Sequence, residues 1–161
     1  LLTGARALSG AELIRSWQDG LRYPDPLAVA MVTKHAQIEY FWSWRSALER
    51  AENMMLVQHN FVCRAQQLLR ALLALNRAYF RGFGHLDWVF AQLQLAPDAF
   101  ETRFRALWSE PPAALAAALS ALIEESYDCI EQNLPGVDVA RLRRFFHHTR
   151  TPWDEPPPGL P

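Results

Sequence analysis

Apolar positions in this chain recur at helical spacing and almost never alternate. Leu69, Leu72, Leu73 and Phe80 fall on one stripe, and Phe41, Trp44 and Leu48 fall on another. No alternating run of β-branched residues between turn signals appears, and Val, Ile and Thr are sparse beside Leu and Ala. The pattern predicts an all-α protein.

Capping and breaking residues divide the pattern into elements. Ser9 and Glu12 have capping-box spacing and predict a first helix ending near Gly20. In "YPDP", Pro24 holds Tyr23 extended, Asp25 can cap, and Pro26 suits the first position of a second helix running to about Ala51. Asn53 can cap a third helix over Met54 to Phe80, stopped by Gly82 and Gly84, so that the second and third helices form a long antiparallel hairpin. Shorter helices are expected over Leu86 to Leu95 and from Pro97 and Asp98 to Trp108. "EPPAA" opens a helix to Asn133, which "LPG" ends, and a last helix follows Asp138. "TPWDEPPPGLP" is too proline-rich for a helix and reads as an extended tail. The expectation is an up-and-down helical bundle built on the hairpin, a single domain over 1–150 and a tail over 151–161.

Composition narrows the function. A 161-residue chain that is 50% hydrophobic can bury one ordinary core. With 16 basic and 17 acidic side chains, its net charge of -1 recommends neither nucleic acid nor an anionic membrane as main partner. Cys63 and Cys129 lack metal-ligand spacing and read as buried thiols in a reducing compartment. Without a long apolar run or a signal leader, the expected location is cytoplasmic, and the start at Leu1 reads as a segment of a longer polypeptide.

The candidate chemistry concentrates in "LLALNRAYFRGFGHLDW". Asn76 lies on the apolar stripe of its helix, where a carboxamide costs about 1–3 kcal/mol unless its hydrogen bonds are satisfied. Two readings stand. Asn76 makes a structural bond to a backbone carbonyl or to Tyr23; alternatively, Asn76, Arg77, Tyr79 and His85 rim a substrate pocket, with Tyr23 supporting them.

Other groupings are weaker. His35 and Glu39 have the spacing of a metal pair or of a base and its orienter, with His59 a third member within reach, but also that of an exposed ion pair. His85 and Asp87 suit acid–base work or simply a helix start. In "RLRRFFHH", Arg141 with His147, or Arg143 with His148, matches the loose arginine-then-histidine spacing of helical HEPN-like ribonucleases, without the polar residue usual after that arginine, but the same arginines suit a solvated face or a dock for an acidic partner. The aromatic cluster from Tyr40 to Arg50 reads first as core packing, with Trp42 and Arg45 as an interface or a stacking surface the alternative.

Taken together, "WQDGLRYPDPL", "LLALNRAYFRGF", "LAPDAFETRFRALW" and "NLPGVDVARLRRFF" resemble a helical domain of unknown function at the carboxyl end of bacterial nucleotidyltransferases of the kanamycin-nucleotidyltransferase-like superfamily. The likeness spans roughly Trp17 to Trp153; His85 stands near the place where family members often carry a lysine. It implies an auxiliary domain that walls the substrate or acceptor side of a cleft. The partner would be a catalytic domain in the same or another chain, and Mg²⁺ and a nucleoside triphosphate would belong there. The Gly-Ser pair and paired aspartates of such a catalytic domain are absent from this sequence, so no cofactor is expected in this segment. Arg77 would then bind an anionic or carbonyl group, Asn76 fix the helix end or read a polar edge, and Tyr79 stack or donate its hydroxyl. The alternatives are a protein-interaction module, homodimeric or not, and the ribonuclease.

Overall fold

The computed structural model describes residues 6, 8–20, 23–39 and 54–147. Among them the elements are α1 (Ala11–Gly20), α2 (Asp25–His35), α3 (Met54–Leu75), α4 (Leu86–Ala91), α5 (Phe100–Ala106), α6 (Pro112–Asn133) and α7 (Val139–Phe146), with single 3₁₀ turns over Phe83–His85 and Leu107–Ser109. The fold is all-α. The aromatic segment around Trp42 and Arg45, residue His148 and the proline-rich tail lie outside the described residues.

Two helices of 22 residues, α3 and α6, form the axis of the bundle, each about 33 Å long. The amino-terminal half of α3 buries Val57, Phe61 and Ala65, whereas its last turns bury Leu68, Leu69 and then every residue from Ala71 to Leu75. That end is therefore enclosed on all sides. Helix α2 packs along α3, and α6 packs on α3, α5 and α7. Arg77 beyond the end of α3 meets Asp25 at the start of α2, while Arg64 in mid-α3 donates to the Glu39 carbonyl, so α2 and α3 run antiparallel. Gly136 sits where a β-carbon would come within 3.1 Å of Val29 Cγ2, which brings the α6–α7 turn close against α2. Helix α1 buries none of its described side chains and exposes Leu13 and Trp17.

Several boundaries differ from the sequence expectation. Helix α2 stops at His35 instead of running on toward Ala51. The Ala36 carbonyl, which a continuing helix would give to the amide four residues on, instead accepts from the Ile38 amide at 2.8 Å and the Tyr127 hydroxyl at 2.8 Å. Ile38 is then fully buried. Tertiary packing overrides a continuous helical pattern here.

Helix α3 likewise ends before its glycines. The Ala78 amide bonds the Leu73 carbonyl and the Arg77 amide bonds the Ala74 carbonyl, the paired bonds of a Schellman cap, with Arg77 at φ 54 in the left-handed position that glycine usually takes. The stop is Asn76-Arg77, and Gly82, at φ 95, serves the following loop. Helix α4 ends at Ala91, short of Leu95, because the Leu95 amide is held by Asn76 Oδ1. Helix α5 opens at Phe100 after Ala99 at φ 51, and α1 opens at Ala11 after Gly10 at φ 66, one residue beyond the Ser9 cap position. Asp138 caps α7 as expected, its side chain accepting from the Arg141 amide.

Candidate functional site

The segment after α3 is built on Asn76. Its Nδ2 donates to the Leu72 carbonyl at 2.8 Å and the Leu95 carbonyl at 2.9 Å, and its Oδ1 accepts from the Leu95 amide at 2.8 Å. Both N–H donors are spent, and the side chain pairs with a peptide group 19 residues away. Asn76 thus clamps the loop after α4 to the end of α3. The structural hydrogen bond expected of this carboxamide is made to backbone carbonyls, with Leu95 and not Tyr23 as the distant partner.

Arg77 is a second anchor. Its Nε and Nη2 approach Asp25 Oδ1 at 2.9 and 2.8 Å, and its Nη1 donates to the Leu75 carbonyl at 2.8 Å. The Asp25 carboxylate, expected to cap α2, serves Arg77 instead, because the Schellman cap turns the guanidinium toward the first turn of α2. On the same side Tyr23 and Tyr79 pack with ring centroids 4.7 Å apart, tilted by 47°. Burial first, and then the neighbouring Tyr79, raises the Tyr23 pKa above its usual value, so this hydroxyl is a donor at neutral pH and not a phenolate.

The structure therefore brings four of the five predicted residues into one joint: Tyr23, at the entrance to α2, on one side, and Asn76, Arg77 and Tyr79 on the other. His85 lies beyond it, exposed at the end of the 3₁₀ turn. Tyr79 remains 42% exposed and Phe83 36% exposed, so the loop shows aromatic faces and an imidazole to solvent while its base is fixed. Phe80 and Phe83 pack edge to face at 4.8 Å, and the Arg81 guanidinium lies 4.2 Å from the centre of the Trp88 ring. Chemically this surface can stack on a planar group and hydrogen-bond it.

The remaining candidates separate. His35 ends α2 and Glu39 lies past it on non-helical chain, so their helical spacing is broken, and His59 Nε2 contacts Cys63 Sγ at 3.6 Å instead. Among the described residues no cluster of His, Cys, Asp or Glu could hold a metal ion. Asp87 is engaged by Arg105 Nη2 at 2.5 Å, which takes it away from His85. In α7, Arg143 pairs with Glu124 and with Asp128 Oδ1 at 2.5 Å, and its guanidinium lies 5.6 Å from the Tyr127 ring centre; His147 Nε2 reaches Glu124 Oε1 at 2.6 Å. These basic groups are a clasp between α6 and α7. Arg141 is exposed nearby.

Comparison with known protein families, curated proteins and solved structures returns no match. No described helix is long and apolar enough to cross a membrane.

Sequence patterns do not single out Leu95, whose backbone pairs with Asn76, or the Tyr127 hydroxyl, which fixes the end of α2. Nor do they single out Arg70, an arginine inside "LLRALLAL" with glutamine and apolar residues at three and four positions on either side. A cation inside an apolar helical run, without an acid at ion-pairing distance along the helix, was the available signal.

Proposed function

We propose that this chain is an auxiliary substrate-binding domain of a nucleotidyltransferase-like protein, and that the loop from Tyr79 to His85 forms its ligand-facing wall. The observation that carries the reading is the division of labour in the loop. Asn76 and Arg77 spend their polar groups on holding its base, while Tyr79, Phe83 and His85 stand at the surface beyond it. Holding exposed aromatic groups on a rigid base lowers the ordering cost of binding a planar ligand. The likeness of "LLALNRAYFRGF" and its flanking motifs to the helical domain of such transferases supplies the class of ligand, and the absence of paired aspartates makes this domain a binder, with the metal-dependent step in a partner catalytic domain.

The test is transfer of label from [α-³²P]ATP by the full natural polypeptide. Tyr79→Ala and His85→Ala are expected to raise KM tenfold or more with the fold intact. Unchanged kinetics in both variants, or no nucleotidyl transfer by the natural polypeptide, would remove the proposal.

A second reading rests on a different place. Met54, Val57, Phe61, Val62, Trp108 and Leu115 line an apolar groove of about 330 Å³, with Met54 and Trp108 about half exposed. Such a groove suits a protein-interaction module. Light scattering on the eluting protein separates the readings: a stable dimer at micromolar concentration favours the interaction module, and a monomer favours the auxiliary domain.

A further inference from the structure

From Asn53 to Leu86 the sequence carries Arg64, Arg70, Arg77 and Arg81 and no aspartate or glutamate. Three of these arginines have identifiable occupations: Arg77 with Asp25, Arg64 with the Glu39 carbonyl, and Arg81 over Trp88. Arg70 differs. Its guanidinium lies 5.0 Å from the centre of the Phe80 ring, and no carboxylate among the described residues pairs with it. Its Nε is shut off from solvent without a hydrogen-bond partner, and so is Oε1 of Gln67, one helical turn earlier on α3.

The opposing helix adds one cation, Lys34, and an imidazole. His35 is buried at the end of α2 beside Lys34, and its pKa is lowered by burial first, then by Arg70 and by Lys34. Lys34 and His35 suit the carboxyl end of a helix, which accounts for those two. It does not account for Arg70. A guanidinium held on an aromatic ring with a shielded, unpaired N–H, one turn from a shielded, unpaired amide oxygen, is costly to the fold, and a water could satisfy the N–H without offsetting the charge. The Gln67 carboxamide can turn end for end, which puts an N–H donor where its oxygen stands.

We infer that Arg70, Gln67 and His35 form a binding site for a phosphoryl oxyanion between α2 and α3. Arg70 supplies the charge-assisted bonds, Gln67 a neutral donor, and His35 a group whose protonation follows the anion. A phosphoryl oxyanion fits the unpaired guanidinium because it can take several charge-assisted bonds at once and draw a proton onto the neighbouring imidazole. The Phe80 ring under Arg70 packs on Phe83, which places the anion site next to the Tyr79–His85 loop. The inference deepens the nucleotide reading but stands on separate residues.

The experiment is a pyrophosphate titration of the full chain at constant ionic strength, followed by the NMR signal of the His35 imidazole, which His35→Gln assigns. Saturable binding is expected, with the His35 signal moving and its pKa rising because the anion offsets Arg70. Inorganic phosphate and ATP are run as further arms: stronger binding of ATP identifies a nucleotide phosphate as the ligand, and equal or stronger binding of free phosphate identifies the free anion. Arg70→Gln should weaken pyrophosphate at least tenfold, and Arg144→Gln, the same charge change on the exposed face of α7, should leave it unchanged. Gln67→Glu gives a second variant that supplies an internal carboxylate to Arg70; it should raise the melting temperature and lose the anion. The site is refuted by absence of saturable binding, by equal loss in the Arg70 and Arg144 variants, or by full binding in Gln67→Glu. Tyr79→Ala should leave pyrophosphate binding intact, so failure of the loop reading and failure of the anion site give different results.

Discussion

The clasp between α6 and α7 and the joint at the end of α3 are made of similar side chains and do opposite things. In the clasp, Arg143 and His147 converge on Glu124 and Asp128, over the ring of a tyrosine whose hydroxyl closes the end of α2. Both basic side chains meet a carboxylate of α6, although Glu124 Oε1 meets His147 only as an ion-pair contact and without a hydrogen bond. In the joint, Asn76 and Arg77 are spent in the same way, but the residues that follow present Tyr79, Phe83 and His85 outward, and Arg70 lies nearby without an acid among the described residues. A cluster of basic and aromatic residues is therefore no evidence of a site until its internal partners have been counted. The clasp consumes its cations, and the joint leaves some over.

This contrast can be broken at several points. The largest effect is expected at the clasp: Tyr127→Ala removes an aromatic ring that is 1% exposed and should cost about 3–5 kcal/mol in urea unfolding. Tyr127→Phe keeps the ring and leaves the Ala36 carbonyl without its hydroxyl partner, at about 1–2 kcal/mol. At the joint, Asn76→Ala strips the Leu95 peptide of its partners and should cost about 2–3 kcal/mol, with faster hydrogen exchange of the Leu95 amide as the local readout.

Arg77 tests the cap separately from the ion pair. Arg77→Ala and Arg77→Gly both lose Asp25, but only alanine still strains the left-handed position, so the glycine variant should be the more stable by about 1 kcal/mol. Burial, Arg70 and Lys34 together lower the His35 pKa, which gives a pH dependence with a definite sign. The folded state disfavours the imidazolium, so stability is fully present above the unfolded histidine's ordinary pKa of about 6.5 and is lost as pH falls through the lower folded value. In melting curves between pH 7.5 and about 5, His35→Gln should flatten that decline. Tyr79→Ala loses the ring contact with Tyr23 and should cost about 1 kcal/mol, and the smallest effect is expected at His85→Ala, within about 0.5 kcal/mol, because a side chain that faces solvent holds little of the fold.

The sequence carried the helices well where local signals agree with packing. "EPPAA" and Asp138 opened α6 and α7 where expected, because a proline in the first turn and an aspartate cap need no tertiary help. It misled where a distant group supplies the terminus. Helix α2 stops because Tyr127, 91 residues further on, takes the Ala36 carbonyl, and no local breaker after His35 announces this. The end of α3 was misplaced for a related reason: glycines at 82 and 84 look like the stop, but an asparagine and an arginine form the cap, held by Leu95 and Asp25. The candidate site was legible in part. The helical stripe placed Asn76 among apolar neighbours and so demanded partners for it; which partners, and hence its employment as an anchor, depended on a loop that sequence could not fold. Arg70 was legible only as a cation without an acid along its helix, because a single arginine in a leucine-rich helix looks like a solvated position until its surroundings are known.

The central claim is that the joint divides into anchors and contacts. Titration of the full chain with Mg-ATP, followed by the NMR signals of Tyr79, His85 and the Leu95 amide, tests it most directly. Saturable shifts are expected at Tyr79 and His85 while the Leu95 amide keeps its protection from exchange. Shifts confined to Asn76 and Leu95, or no saturable shift at Tyr79 and His85, would contradict it.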